Sequence, residues 1–428
     1  MLGNTDGRGG CVGTTAGRRI PWVEWRMELE ERQVHVDHLK LDMYVYRLDR
    51  PWLGLPFPLE GFLVQNPKQI EVLRQHCDHV FVDVQRSQTP IRAYMAHPRQ
   101  HERQRTVVRH VDTATVHEEL PRAREAHAQA SNLAAKILDD VKSGRKVSIE
   151  DVHHAVVPVV QSVLRNADAY FWVTALRKRD AYEYSHAIHC SLLAAAFGRH
   201  MGFTEDVLVN LATGGLLMDI GKTEVDETLL SRPGPLTSEE TEAVRRHVEN
   251  SLRIIEEAGI HHADVREMVL THHERHDGSG YPDQLKRNQI PLFGRMAGLI
   301  DSYDAMTSTR VFRKAASAHH ALQQLYRHGD QLFQREVVEQ LMQCLSVYPT
   351  GSLVELSSGE VAIVMAQNHA RRLRPRVMLL MTADKVLREN FVELDLMTQV
   401  EGEGPLREIV TTLEPGAYGL DPTELYLG

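Results

Sequence analysis

Six side chains that can bind a metal stand out between positions 186 and 301 of the sequence. They are four histidines and two aspartates in five segments with helical texture: His186, Asp219, His247, the adjacent pair His272 and His273, and Asp301. A helical bundle can direct such side chains from several helices into its centre and hold one or two metals there. Mixed imidazole and carboxylate ligands favour iron, manganese or zinc over calcium. Each residue alone could equally be a solvated group on a helix surface. Whether these residues form a metal site therefore has to be judged from the residues around them.

The segment LLMDIGK places a carboxylate beside a flexible turn and a cation. Asp219 follows an apolar run that predicts a buried helix, and Gly221 and Lys222 come just after it. This combination suits a phosphate group, because a lysine ammonium neutralises phosphate oxygens. We therefore predict that Asp219 and Lys222 are catalytic residues acting on a phosphate ester.

The segment THHERHDGSGYP places two histidines before a turn rich in glycine. Neighbouring side chains on a helix diverge by about 100°. His272 and His273 can therefore share one site only near a helix end. Gly278 and Gly280 provide such an end, so we predict that a helix stops at the histidine pair.

The rest of the chain predicts a mainly α protein with two smaller units that contain strands. Alternating apolar residues near both ends indicate strands, and helical periodicity fills the middle. The predicted units are a disordered leader at 1–30, a small α+β N-terminal domain at 31–86, a linker at 87–117, a helical domain at 118–347 and a short β-rich C-terminal appendage at 348–428. Met1 and Met27 both remain candidate starts.

The composition limits the kinds of partner. Hydrophobic residues make up 42% of the 428 residues and charged residues 25%, as in ordinary globular proteins. The net charge is −9, and the spread of lysine and arginine along the chain argues against binding of a nucleic acid polymer. No run approaches the roughly 18 apolar residues of a membrane span, and the four cysteines lie far apart. We therefore predict a cytoplasmic protein with no membrane span.

From about Tyr182 to Arg313 the chain resembles the HD-GYP proteins, which are bacterial members of the HD phosphohydrolase superfamily. The hallmark is HHERHDGSGYP, and it is accompanied by YEYSH, DIGK, SRPGPLT, RRHVENS and LIDSYDAMTSTRVFRKA. Residues 34–86 are similar to the small N-terminal domain often fused to this class. The resemblance implies a helical HD-type bundle that hydrolyses cyclic di-GMP to pGpG, GMP or both.

The resemblance also implies a dinuclear site in which Asp219 bridges two divalent metals, iron or manganese. One metal would be bound by His186, Asp219 and Asp301, and the other by His247, His272 and His273. The family has a further histidine ligand where this chain has Met218. A thioether binds iron(II) or manganese(II) poorly, so the first metal is predicted to be weakened or lost, leaving one metal or two.

The implied mechanism is metal-assisted hydrolysis, in which a metal-bound hydroxide attacks the phosphorus. Several residues are predicted to act around it. Substrate-binding roles are implied for Lys222, Arg310, Arg313, Gly280 and Tyr281. Asp304 lies one helical turn after Asp301 and is predicted to bind the second ring N–H of a histidine ligand.

Besides Met218, three positions differ from the family pattern or bear on the missing ligand. Tyr182 occupies the place of the glutamate found in three-metal members, so a trinuclear site is disfavoured. His276 stands where the family usually has tryptophan. His189 lies one turn after His186 on the same helix face, which raises the hypothesis that it replaces the missing ligand.

Two further functions remain open from the sequence. Met218 is also compatible with a degenerate member that serves as a cyclic di-GMP sensor or as a protein-interaction module, with a diguanylate cyclase (GGDEF) protein as a candidate partner. The wider superfamily allows another phosphoester as substrate. The loop that contains Gly280, Tyr281 and Pro282, called the GYP loop below, argues against this alternative. The two smaller units contain no catalytic constellation, so regulation or formation of a homodimer is their predicted role.

Overall fold

A computed structural model describes the chain at residues 31–49, 61–77, 79–83, 86–87, 108–176, 182–232, 234–309, 315–368, 371–399 and 406–421. The described part is mainly α, with a helical bundle, a small N-terminal unit that contains strands and a C-terminal sheet. The predicted fold class is therefore confirmed. The predicted leader at 1–30 and most of the predicted linker lie outside the described residues.

The N-terminal unit is a four-stranded antiparallel sheet with one helix. Its elements are β1 (Glu31–His35), β2 (Tyr44–Leu48), β3 (Phe62–Leu63), α1 (Pro67–His76) and β4 (His79–Asp83), and the strand order is β1-β4-β2-β3. Helix α1 begins with a capping box formed by Asn66 and Gln69, which satisfies amide groups that the first turn leaves free. Leu73 of α1 packs into the small apolar core of this unit.

The helical bundle starts with two long helices that pack against each other. Its members are α2 (Val116–Lys142), α3 (Ile149–Leu176), α4 (Tyr182–His200), α5 (Glu205–Leu217), α6 (Glu227–Leu230), α7 (Ser238–Arg245), α8 (His247–Glu257), α9 (Ala263–Thr271), α10 (Leu292–Thr307), α11 (Ala318–Arg327) and α12 (Arg335–Leu345). Helix α3 bends at Asn166, whose backbone is extended and whose side chain accepts a hydrogen bond from the Ala169 amide. None of the described helices is long and apolar enough to cross a bilayer.

Helices α4, α5, α9 and α10 surround the centre of the bundle. Helix α4 packs against α5 and α10, and α9 packs against the same two helices. Their facing side chains are almost all buried and apolar, as in the run from Leu192 to Phe197 of α4. A rigid apolar support of this kind fixes the helix ends that carry the chemical groups.

The C-terminal sheet lies against the bundle. Its strands are β5 (Leu353–Leu356), β6 (Val361–Ala366), β7 (Arg376–Met381), β8 (Leu387–Asp395) and β9 (Ile409–Thr412), in the antiparallel order β8-β7-β6-β5-β9. A turn at Ser357, Ser358 and Gly359 joins β5 to β6. Every side chain of β6 is buried, because one face packs on the helical core and the other on the core of the sheet.

A buried ion pair joins α2 to α3. Glu119 is fully buried and accepts two hydrogen bonds from Arg165, at 2.6 and 2.8 Å, and a third from Ser162 at 2.8 Å. Removal of one partner leaves the other charge without compensation in a poorly solvated place. The pair therefore holds the two long helices in register.

We expect Glu119→Ala to lower the free energy of unfolding by about 3 kcal/mol, at the lower end for a broken buried pair because Arg165 is partly exposed. Urea unfolding followed by helical circular dichroism measures the change. The control is Glu125→Ala, an exposed glutamate of the same helix, with an expected effect within about 0.5 kcal/mol. Equal effects of the two substitutions would contradict a stabilising role for the pair.

Candidate metal centre

Asp219 lies where α5 gives way to a short 3-10 turn, Ile220–Glu224. The turn packs directly on the start of α8, and the Gly221 amide donates a hydrogen bond to Ser251 Oγ at 2.8 Å. A Cβ atom on Gly221 would lie 2.2 Å from the carbonyl oxygen of His247. Only glycine permits this approach, which brings Asp219 beside His247.

The Asp219 carboxylate is shared by three imidazoles and one ammonium group. Oδ2 lies 3.1 Å from His186 Nε2 and 2.5 Å from Lys222 Nζ. Oδ1 lies 3.3 Å from His247 Nε2 and 3.5 Å from His272 Nε2. The predicted residues from four separate segments therefore meet at one carboxylate.

Two of these atoms are buried and make no hydrogen bond among the described residues. They are Asp219 Oδ1 and His272 Nε2. Buried polar atoms in native proteins nearly always have a partner. A bound cation would supply one to both atoms at once.

The donor atoms form two clusters that have Asp219 in common. In each cluster the donor atoms lie within 4.8 Å of one another, and the members are Asp219, His247, His272 and His273 in one and His186, Asp219 and Asp301 in the other. Nitrogen and carboxylate oxygen are donors that suit a divalent transition metal. The residues present therefore fit a metal in both clusters.

Three of the histidines have one ring nitrogen fixed by a hydrogen bond. Nδ1 contacts a main-chain carbonyl in His247 (Val244, 2.7 Å) and in His272 (Val269, 2.8 Å). His186 Nδ1 instead contacts Asp304 Oδ2 at 2.7 Å. Since Nδ1 is occupied in each contact, Nε2 is the ring atom that faces Asp219 and would bind a metal.

The Asp304 carboxylate contacts two further side chains besides His186. Its Oδ2 accepts a hydrogen bond from Ser308 Oγ at 3.2 Å, and its Oδ1 lies 3.0 Å from His189 Nδ1. Asp304 thus occupies the supporting position that the sequence predicts for it. His189 belongs to neither cluster and binds Asp304 instead, so the geometry gives no support to the hypothesis that it replaces the missing ligand.

The charges of the site are set by burial and by these contacts. Burial opposes ionisation of Asp219, but Lys222 and the surrounding histidines hold the pKa of Asp219 well below its usual range. The pKa values of Asp301 and Asp304 are lowered in the same way, chiefly by hydrogen bonds to His186. Burial lowers the pKa of His273 well below its usual value, and the neighbouring His272 lowers it further. The site thus offers charged carboxylates and a neutral His273.

Met218 is fully buried and ends α5, where its amide donates to the Gly214 carbonyl. It belongs to the apolar core of the bundle. Among the described histidines, cysteines, aspartates and glutamates, none outside the predicted set joins the cluster of His186, Asp219 and Asp301. This cluster therefore offers fewer donors to a metal than the cluster that contains His247, His272 and His273.

Cys190 is a neighbour of the site that the sequence analysis missed. Its Sγ lies 3.7 Å from both ring nitrogens of His186. Burial raises the pKa of Cys190 to about 12, so the thiol packs on the imidazole in its neutral form. The spacing of four residues on one helix face was the available signal.

The GYP loop closes one side of the centre. Helix α9 ends at Thr271, as predicted, and the Tyr281 ring stacks on His273 with a centroid distance of 4.7 Å and an angle of 24°. The Glu274 carboxylate accepts hydrogen bonds from the amides of Asp283 and Leu285 at 2.8 and 3.0 Å. These contacts fix the loop that carries Tyr281.

Of the remaining predicted residues, one lies apart from the two clusters and two fall outside the described residues. His276 is bound through its main chain to Leu332 and Arg287, and it belongs to neither cluster. Arg310 and Arg313 lie outside the described residues. A cation that the sequence analysis did not select, Arg245, lies with its guanidinium carbon 4.8 Å from the Tyr281 ring centroid.

We expect Gly280→Ala to displace the GYP loop and weaken metal binding by tenfold or more, as roughly expected when support of a ligand is lost. A Cβ atom there would lie 2.4 Å from Arg275 N and 2.5 Å from His273 O, so the backbone has to shift and Tyr281 leaves His273. Manganese titration measures the change. Ser279→Ala, at an exposed position of the same loop, is the control and should bind metal normally. Identical titrations of the two variants would refute this role of the loop.

Comparisons with known proteins agree with this arrangement. The HD domain family matches residues 167–337, and a domain of unknown function, DUF3391, matches residues 31–152. The cyclic di-GMP phosphodiesterase PA4108 of Pseudomonas aeruginosa is 29% identical over 82% of this chain and 86% of its own. The cyclic di-GMP phosphodiesterase response regulator RpfG of Xanthomonas campestris pv. campestris is 30% identical over 52% of this chain and 59% of its own.

Among solved structures, Bd1817, an HDG"Y"P protein from Bdellovibrio bacteriovorus, is similar over 73% of this chain and 98% of that chain, with 15% identity and a TM-score of 0.44. The HD domain match spans every member of both clusters, and the two sequence relatives carry the name of the enzyme class that the GYP motif predicts. Residues 167–337 therefore match the HD domain family, and the relatives support an HD-GYP protein.

Proposed function

We propose that the chain is a metal-dependent phosphodiesterase that hydrolyses cyclic di-GMP to pGpG, GMP or both. The observation that carries the proposal is the pair of donor clusters joined at Asp219, with Lys222 against the same carboxylate. Relatives named as cyclic di-GMP phosphodiesterases support the choice of substrate.

The ligand assignment follows the two clusters. His247, His272 and His273 would hold one metal together with Asp219, and His186 and Asp301 would hold the other with the same carboxylate. Two divalent metals held by these residues would lower the pKa of a bound water and polarise a phosphate oxygen. Iron and manganese are the metals we favour for these donors.

The protein groups around the ligands have separate tasks. Asp304 orients His186 through the 2.7 Å hydrogen bond to Nδ1, which keeps Nε2 directed at the metal. Lys222 neutralises charge that develops on the phosphate, since its ammonium already lies at the edge of the cluster. Gly280 allows the loop to approach, and Tyr281 contacts the substrate from its position on His273.

Arg310 and Arg313 complete the proposed phosphate-binding set. Arginine presents a planar fork of donors that matches two phosphate oxygens. This assignment depends on the resemblance of the motif around Asp301 to the family pattern.

Met218 makes the proposed centre asymmetric. The cluster with His247, His272 and His273 has three imidazoles and one carboxylate, whereas the other has one imidazole and two carboxylates. We therefore propose one firmly bound metal and one weakly bound metal. Hydrolysis then depends on how far the weaker position is filled.

Met218 also favours one alternative function. With the weaker position empty, the protein would bind cyclic di-GMP without hydrolysing it and act as a sensor or as a protein-interaction module. A diguanylate cyclase (GGDEF) protein or a second copy of this chain would be its partner. Substrate turnover at full metal loading separates this alternative from the enzyme.

We also propose a cytoplasmic location and the predicted division into domains at 31–86, 118–347 and 348–428. No disulfide joins the cysteines of the described residues, which are Cys77, Cys190 and Cys344. Cysteines that are not oxidised to disulfides suit a reducing compartment.

We expect Met218→His to raise the number of tightly bound metals from one to two and to increase turnover of cyclic di-GMP, because imidazole replaces a poor thioether donor. The natural protein and both variants are loaded with manganese, and metal content and product formation are measured. The control Met218→Leu removes the thioether while keeping an apolar side chain, and it should match the natural protein in metal content.

Different outcomes refute different parts of the proposal. A natural protein that holds two metals firmly and hydrolyses cyclic di-GMP would contradict the sensor alternative and the asymmetry. Activity that appears only in Met218→His would support the sensor. Absence of turnover and of cyclic di-GMP binding in every form would contradict the proposed function itself.

A further inference from the structure

We propose that Arg245 is a substrate-binding residue that holds the phosphate of cyclic di-GMP that is not being cleaved. The inference rests on the proposed function and adds to it a residue that the family motif does not select. The geometry, the local charges and the shape of the substrate support it in turn.

Arg245 is positioned at the metal centre by the chain itself. It occupies the last turn of α7, two residues before the candidate ligand His247, and its side chain is exposed. Its guanidinium carbon lies 4.8 Å from the centroid of the Tyr281 ring, and that ring stacks on His273. Arg245 is thus one aromatic ring away from a candidate metal ligand.

Three other cations of the described residues already form ion pairs. Lys222 is paired with Asp219 at 2.5 Å. Arg232 pairs with Glu240, and Arg253 pairs with Glu224 and Glu257. Among the described residues no carboxylate lies within ion-pair distance of Arg245, so its hydrogen-bond donors remain available to a ligand.

The contact with the Tyr281 ring positions the Arg245 guanidinium for a phosphate. A guanidinium that lies over an aromatic ring keeps its N–H groups in the plane, directed outward, while the ring stabilises the positive charge. Planar donors of this kind bind two phosphate oxygens at once. The contact with Tyr281 therefore limits the positions that the guanidinium can take, which reduces the entropy lost on binding.

Cyclic di-GMP requires a cation at such a place. It carries two phosphodiester groups in one ring, and only one of them is hydrolysed at a time. The group at the metals would be neutralised there, whereas the second group, at the rim of the site, needs cations of its own. Arg245 supplies a positive charge on the side of the centre formed by Tyr281 and His273.

The test compares Arg245→Ala and Arg245→Lys with Arg246→Ala in the full-length, manganese-loaded protein. Arg246 is the adjacent arginine, is equally exposed and has no ring contact among the described residues, which makes it a matched control. The measurements are KM and kcat for cyclic di-GMP, the equilibrium dissociation constant for cyclic di-GMP, and the metal content of each variant.

We expect Arg245→Ala to raise KM and the dissociation constant roughly 10- to 100-fold, which is the loss of one or two charge-assisted hydrogen bonds. The kcat and the metal content should stay close to those of the natural protein. Arg245→Lys should recover part of the affinity, because the charge remains while the planar fork is lost. Arg246→Ala should behave as the natural protein.

Three results would overturn the inference, and they can be told apart. Equal affinity of Arg245→Ala and Arg246→Ala would show that Arg245 does not contact the substrate. A fall in kcat or metal content at unchanged KM would mean that Arg245 only supports Tyr281 and His273. Failure of the natural protein to bind or hydrolyse cyclic di-GMP would remove the proposed function, and this inference with it.

Discussion

The carboxylate of Asp219 is the contact on which the rest of the site depends. It is 11% exposed and lies within 3.5 Å of three imidazole nitrogens and a lysine ammonium. So much positive character around one carboxylate keeps it ionised despite burial. The close packing at Gly221, just after α5, allows Asp219 to contact His186, His247 and His272 at once.

A second layer of contacts decides which ring atoms face Asp219. Main-chain carbonyls fix His247 and His272, and the Asp304 carboxylate fixes His186. His273 is held differently, by stacking on Tyr281. The loop that would contact the substrate is therefore also the support of one candidate ligand, which couples substrate recognition to the metal centre.

The sequence predicts the parts of this arrangement that depend on local pattern. The end of α9 at the histidine pair follows from the glycines after it, and the short distance from Asp219 to Lys222 follows from a spacing of three residues. The contacts of Cys190, of His189 with Asp304 and of Arg245 with Tyr281 were not predicted, because they join residues whose proximity depends on tertiary packing or on a choice of rotamer. His189 is an example of what helical spacing cannot predict. The spacing places it on the same helix face as His186, but it does not distinguish a metal ligand from a residue that supports a carboxylate.

The fold shows the same division. Alternating apolar residues predicted the strands at both ends of the chain, and helical periodicity predicted the bundle. Nothing local indicated that every side chain of β6 would be buried, because this results from packing of the sheet between its own core and the bundle.

The sharing of Asp219 by both clusters is tested most directly by comparing the metal content of Asp219→Asn with that of Asp301→Asn. Both variants are saturated with manganese and passed through gel filtration before the metal is measured. If both clusters depend on Asp219, Asp219→Asn retains almost no metal, whereas Asp301→Asn keeps the metal of the cluster that contains His247, His272 and His273. Equal metal content in the two variants would contradict the shared carboxylate.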